Sequence, residues 1–221
     1  MTASAPLAHL SRRLRAGETI FMSWCGVNDA AIAETTARED FDAALIDMQH
    51  GSVDFTTTVQ AIALVGLAGK PAIARIPVGD FATASRLLDA GAAAIVAPMI
   101  NSEADAKRFA GFVKFPPVGE RSWGPHRAFG LAGSEGEAYF RQANDLHLAI
   151  AMIETREALD ALDSILDVPG IDGVFVGPSD LSIALTKGAV VDAAHPEVDK
   201  ALDHIAARCK AKGKTAGLFC M

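Results

Sequence analysis

Residues Leu148–Leu181 read LAIAMIETREALDALDSILDVPGIDGVFVGPSDL, and this stretch decides the fold. LAIAMI (Leu148–Ile153) is apolar throughout, which suits a strand covered on both faces, as parallel strands between helices are. Glu154 follows at once, and REALDALDSIL (Arg156–Leu166) then carries apolar residues at helical spacing. Gly170 stands where the turn out of a helix asks for a positive φ. GVFV (Gly173–Val176) is a second short apolar run, closed by Gly177-Pro178-Ser179-Asp180. The unit is strand–helix–strand, and it predicts a parallel sheet.

The same alternation extends outward in both directions. Further strand candidates are Thr19–Cys25 (TIFMSWC), Phe41–Met48 (FDAALIDM), Pro71–Ile76 (PAIARI), Ala92–Met99 (AAAIVAPM) and Thr215–Phe219 (TAGLF). Phe81–Ala90 reads as another helix, with Gly91 and Gly213 as further turn glycines. A doubly wound dinucleotide fold would place a G-x-G-x-x-G turn after its first strand. That turn is missing, so the expected fold is α/β, a (β/α)₈ TIM barrel. Seven strands are counted where closure needs eight, with about 25–35 further residues for the last strand and helix. The expectation is a single barrel domain over residues 1–221, cut short at its C-terminus. The segment Lys114–Ser134 (KFPPVGERSWGPHRAFGLAGS) breaks the repeat and is expected to form a long loop over the barrel mouth.

Composition narrows the function. Of 221 residues half are hydrophobic and 21% charged, which excludes a disordered or fibrous chain. The net charge of −7, without a basic patch, argues against a nucleic-acid partner. Cys25, Cys209 and Cys220 form no C-x-x-C pair and no metal spacing, which suits a reducing, cytoplasmic compartment. The N-terminus lacks the apolar segment of a secretory signal, and no apolar run is long enough to span a membrane.

Catalytic groups of a parallel barrel gather at the C-terminal ends of its strands. The second strand ends in Asp47-Met48-Gln49-His50, the third in Arg75, the fifth in Glu154 and the sixth in Ser179-Asp180. Singly, each has a plain structural use: Asp180 as a helix N-cap, Arg75 paired with a surface acid, His50 as a packed imidazole. Together at one rim they suit one chemistry. Glu154 and Asp180 could hold a hard divalent ion through oxygen and leave positions open for a chelating 2-oxo acid. The ion would act as a Lewis acid towards an enolate, and Arg75 would add fixed positive charge. The first N–H groups of the helix at Ser179 and Asp180 could bind a substrate carboxylate. His50 is the nearby group suited to proton transfer near neutrality. A Schiff-base aldolase would instead need a lysine on a strand inside the barrel. Lys70 precedes its strand, and Lys114 and Lys187 fall in loops or helix ends, so the metal route is preferred.

The segments IDMQH (Ile46–His50), ARIP (Ala74–Pro77), LLDAGA (Leu87–Ala92), VAPM (Val96–Met99), FPPVGERSWG (Phe115–Gly124), MIETREAL (Met152–Leu159) and GVFVGPSDLS (Gly173–Ser182) occur in this order. From about Gly17 onward the chain resembles the HpcH/HpaI family of class II pyruvate aldolases. The resemblance implies a metal-dependent barrel of the phosphoenolpyruvate/pyruvate type that reversibly cleaves 4-hydroxy-2-oxo acids to pyruvate and an aldehyde. It implies His50 as acid/base, with Asp89 raising its basicity, and Arg75 stabilising the enolate. It implies Glu154 and Asp180 as ligands of Mg²⁺ or Mn²⁺, with Co²⁺ a further candidate, and pyruvate held by the N–H groups of Ser179 and Asp180. Asp47 and Gln49 would stand behind these groups, Gln49 replacing a glutamate common in the family and keeping its hydrogen bonding without its charge. Met152 stands where some members carry a substrate-contacting glutamine. Small-molecule substrates and a homo-oligomer, a hexamer built as a trimer of dimers, follow from the same likeness. Two rival readings are a malyl-CoA or citramalyl-CoA type lyase, with Arg121 and Arg127 as its basic surface, and a catalytically silent barrel that binds an oxo acid.

Overall fold

A computed structural model describes residues 6–220. Its strands are β1 (Met22–Cys25), β2 (Ala43–Asp47), β3 (Ala72–Arg75), β4 (Ala94–Ala97), β5 (Leu148–Ile153), β6 (Gly173–Val176) and β7 (Thr215–Leu218). The helices are α1 (Pro6–Arg15), α2 (Ala30–Ala37), α3 (Phe55–Leu67), α4 (Phe81–Asp89), α5 (Glu103–Val113), α6 (Ala128–Ala132), α7 (Gly136–Leu146), α8 (Arg156–Asp160), α9 (Leu162–Leu166), α10 (Pro178–Leu185) and α11 (Pro196–Ala211). All seven strands are parallel and pair in sequence order from β1 to β7, a curled, barrel-like α/β sheet. Among the described residues no strand pairs with the free edges of β1 and β7. β5 and β6 keep the bounds read from the sequence, whereas β1 begins only at Met22. Gly91, Gly170 and Gly213 all carry the positive φ expected of them.

Strand periodicity sorts the core into two layers. Ala44, Ile46, Ala74, Ile95, Ala151, Ile153, Val174 and Val176 face outward and pack against the helices. Leu45, Ile73, Val96, Ile150, Met152 and Phe175 face inward, and Leu7 and Leu10 of α1 pack into the same cluster. The alternation that makes these residues inner also turns Trp24, Asp47 and Arg75 inward at the tops of β1, β2 and β3. The site is thus the last inner layer of the barrel.

The segment Lys114–Ser134 does not cover the mouth. It follows α5, which runs against the strands and so delivers the chain to their N-terminal ends. There Lys114 Nζ meets the Asn144 and His147 carbonyls at 2.7 and 2.6 Å and Asp172 Oδ2 at 2.7 Å. Leu131 packs into the space left by the absent side chains of Gly66 and Gly91. The segment is therefore a helix-to-strand connection at the opposite rim, and it contains α6.

Candidate active site

The Asp47 carboxylate organises the C-terminal rim. It is buried, and Oδ1 and Oδ2 accept from Arg75 Nε at 2.8 Å and Nη2 at 2.6 Å. Oδ2 also accepts from Trp24 Nε1 at 3.1 Å, and Oδ1 from the backbone N–H groups of Gln49 and His50 at 3.0 and 3.3 Å. Burial alone would raise the Asp47 carboxyl, but the hydrogen bonds and charge of Arg75, with the Trp24 and Gln49 donors, hold it below the ordinary carboxylate range. The turn that carries Gln49 and His50 closes on Gly51, where a Cβ would lie 2.3 Å from the Asp47 carbonyl oxygen. Only glycine fits that approach.

Glu154 is buried at the end of β5. Its Oε1 accepts from the Met99 N–H at 2.8 Å. Met99 holds φ at +55°, a left-handed conformation unusual for this residue type, at the end of the VAPM segment. Burial raises the Glu154 carboxyl, the Met99 N–H opposes it, and the like charge of Asp180 adds to the rise. Asp180 is the third residue of α10 and makes no capping bond; Gly177 is the N-cap. The cap of α8 is Thr155, which accepts from the Ala158 N–H at 3.0 Å. Both acids are therefore free of the helix-capping duty that would have explained them. The first bond of α10 to Gly177 O is made by Leu181 at 3.0 Å, so the N–H groups of Ser179 and Asp180 stand in the open first turn.

These groups surround a cavity of about 300 Å³ lined by Trp24, Asp47, His50, Arg75, Met152, Phe175, Ser179, Asp180 and Phe219, with Gly177 and Pro178 at the base of α10. Six of the residues read from the sequence thus meet at one rim: Asp47, His50, Arg75, Glu154, Ser179 and Asp180. Gln49 is tied to the group through its backbone N–H on Asp47, and among the described residues its buried Oε1 has no hydrogen-bond partner.

Asp89 does not join them. It ends α4, hence lies at the N-terminal rim, and its Oδ1 accepts from Arg121 Nη2 at 2.7 Å. A helix antiparallel to its strands must end on the rim opposite the strand tips, so Asp89 of this chain cannot be the neighbour of His50 within it. The same pairing withdraws Arg121 from any nucleotide-binding surface, because the side chain is sealed from solvent. Reading strand ends missed Trp24, Phe175, Phe219 and the Met99 N–H. Period-two counting on from the inner residue Met22 would have found Trp24.

A family model described as HpcH/HpaI aldolase/citrate lyase matches residues 20–219. The chain belongs to this family. A hydroxypyruvate/pyruvate aldolase of Rhizorhabdus wittichii is 41% identical over 204 residues, which are 92% of this chain and 80% of that protein. A 2-keto-3-deoxy-L-rhamnonate aldolase of Escherichia coli K12 is 36% identical over 210 residues, 94% of this chain and 77% of the relative. The crystal structure of an HpcH/HpaI aldolase from Desulfitobacterium hafniense superposes with a TM-score of 0.87 at 28% identity, covering 96% of this chain and 81% of that one. This chain is accordingly an enzyme of the aldolase/lyase type.

Proposed function

We propose that this protein is a divalent-metal aldolase that reversibly cleaves 4-hydroxy-2-oxo acids to pyruvate and an aldehyde. One observation carries the reading: Asp180, the fixed Arg75 guanidinium and the His50 imidazole line a single cavity at the strand tips, and the buried Glu154 carboxylate lies close enough to feel the charge of all three. The donor set fits a hard cation. Glu154 and Asp180 are like-charged neighbours whose repulsion a dication would relieve. A Mg²⁺ or Mn²⁺ ion held by Glu154 and Asp180 would supply Lewis-acid stabilisation of negative charge on the 2-oxo oxygen.

The chain's own groups do the rest. Arg75 spends Nε and Nη2 on Asp47, and Nη1 is left for a substrate oxygen, where it stabilises the enolate charge as the C3–C4 bond breaks. The Ser179 and Asp180 N–H groups orient the substrate carboxylate at the start of α10. His50 takes the proton from the 4-hydroxyl as the C3–C4 bond breaks, a proton then returned to C3 of the enolate gives pyruvate, and in synthesis the same transfers run backwards. Met152, Phe175 and Phe219 form an apolar wall that keeps water from the carbanionic carbon. The reading places one barrel domain over residues 1–221, working as a cytoplasmic homo-oligomer; light scattering after size exclusion tests the assembly.

The test is a screen of aldehydes with pyruvate in the presence of Mg²⁺, Mn²⁺ or Co²⁺, with and without chelator, reading product by chromatography. Aldol product that disappears with chelator is expected. Absence of product from every aldehyde, together with no deuterium exchange at the pyruvate methyl group, would overturn the reading.

A further inference from the structure

We infer that Trp24 is a positioning residue that holds the Arg75 guanidinium in place from two sides. The inference uses the aldolase reading only through the role given to Arg75. A guanidinium can be fixed along its edge and across its face. Asp47 takes the edge through Nε and Nη2, at 2.8 and 2.6 Å. That bond fixes Arg75 only if the carboxylate is itself immobile, because otherwise the pair swings as one body. Trp24 Nε1 donates to Asp47 Oδ2 at 3.1 Å, the oxygen that also takes Nη2. The same indole lies beneath the guanidinium face, with Arg75 Cζ 4.8 Å from the ring centroid. One side chain therefore restrains both members of the pair.

Trp24 is itself held. Phe219 meets it edge-on, with centroids 4.8 Å apart at 80°, and Phe175 lies 5.7 Å away at 31°. Its single donor is spent on Asp47, which leaves the indole no hydrogen bond to give to a substrate. Its effect on the reaction must pass through Arg75. Preset donors stabilise developing charge without reorganising during the step, so loosening Arg75 should lower the rate more than substrate binding.

A residue that is only cavity wall behaves differently, and two substitutions separate the cases. Trp24→Phe keeps an aromatic face and most of the wall but loses the N–H; Trp24→Leu keeps an apolar wall and loses both restraints. We expect kcat to fall about tenfold in Trp24→Phe and about a hundredfold in Trp24→Leu, with KM for pyruvate within about twofold. In an Arg75→Lys background Trp24→Phe should change kcat by less than about twofold, since the group it positions is gone. A raised KM with unchanged kcat in both variants would overturn the inference.

A readout independent of turnover keeps the two proposals apart. The chain has two tryptophans, so its indole N–H signals in a proton–nitrogen correlation spectrum are assigned by the Trp24→Phe variant alone. The Trp24 signal should be slow to exchange with solvent and should move in Asp47→Asn, and the Arg75 Nε–H signal should move in Trp24→Phe. Signals that stay in place would sink the positioning role whatever the substrate. A wild-type protein with these couplings and no aldol turnover would sink the aldolase reading and leave this inference standing.

Discussion

Arg75 and Asp47 form a bidentate ion pair whose side chains are only 9% and 4% exposed. They sit at paired positions on neighbouring parallel strands, so the sheet register itself brings them together. A buried cation left without its partner is costly. Asp47→Ala is therefore expected to lower stability by about 3–5 kcal/mol, read from urea unfolding. The double variant Asp47→Leu/Arg75→Met should recover much of that loss while staying inactive. The acid limb has a definite sign. The folded Asp47 carboxyl lies below its unfolded value, so its contribution is complete above the ordinary carboxylate range and is lost as pH falls towards the folded value.

Activity should divide along the roles assigned here. Arg75→Ala is expected to lower kcat by about 10²–10³, the scale of a lost oxyanion donor, and His50→Ala by about 10²–10⁴, the scale of a lost general base. Steady-state kinetics with pyruvate and an accepted aldehyde give both values. Wild-type kcat/KM in either variant would remove that residue from the chemistry.

Chelation should abolish turnover, and returning Mg²⁺ or Mn²⁺ should restore it. Glu154→Gln and Asp180→Asn should each weaken ion binding by at least about tenfold in isothermal titration, because each removes a charged oxygen ligand from a set of two. Unchanged affinity in both would leave the carboxylate pair without its proposed task.

Neutral-range stability should depend on His147, far from the site. The imidazole is fully buried, its Nε2 is 2.6 Å from the Tyr139 hydroxyl and its Nδ1 is 2.8 Å from the Ala92 carbonyl. Burial, aided by the charge of Arg121, pushes its pKa well below 6.5. The unfolded chain therefore binds a proton near pH 6.5 that the folded chain refuses, and stability falls as pH drops through that value. Melting temperatures measured from pH 7.5 to 5.5 should fall less steeply in His147→Gln than in the wild type.

The Asp89–Arg121 pair should behave as a fastening of the Lys114–Ser134 segment. Arg121 is sealed in, with Nε and Nη1 lacking hydrogen-bond partners among the described residues and Cζ 4.6 Å from the Phe115 ring centroid. Asp89→Ala is expected to cost about 3–5 kcal/mol by exposing that cation to an unpaired burial, and Asp89→Leu/Arg121→Met should recover part of it. Equal stability of the single variant and the wild type in urea would refute the fastening.

Strand order, strand count and the rim of the site were legible because a buried parallel strand must be apolar on both faces. LAIAMI and GVFV end where the apolar run ends, and the polar residue that follows is left at the rim. Helix direction was the harder inference. The composition of Lys114–Ser134 suggests a loop over the mouth and the family resemblance alone points to Asp89, whereas the place of both follows from α4 and α5 running against the sheet.

The amino-acid pattern alone determined the alternation of strand and helix, and hence which groups stand at strand tips, since burial dictates residue type locally. Only the tertiary structure decided the partners. Trp24, Asp47 and Arg75 lie on three strands separated by some twenty to thirty residues each, and nothing local ties them. Sheet register and the inward turn of alternate side chains bring them into one hydrogen-bonded group, and the same geometry carries Asp89 to the opposite rim.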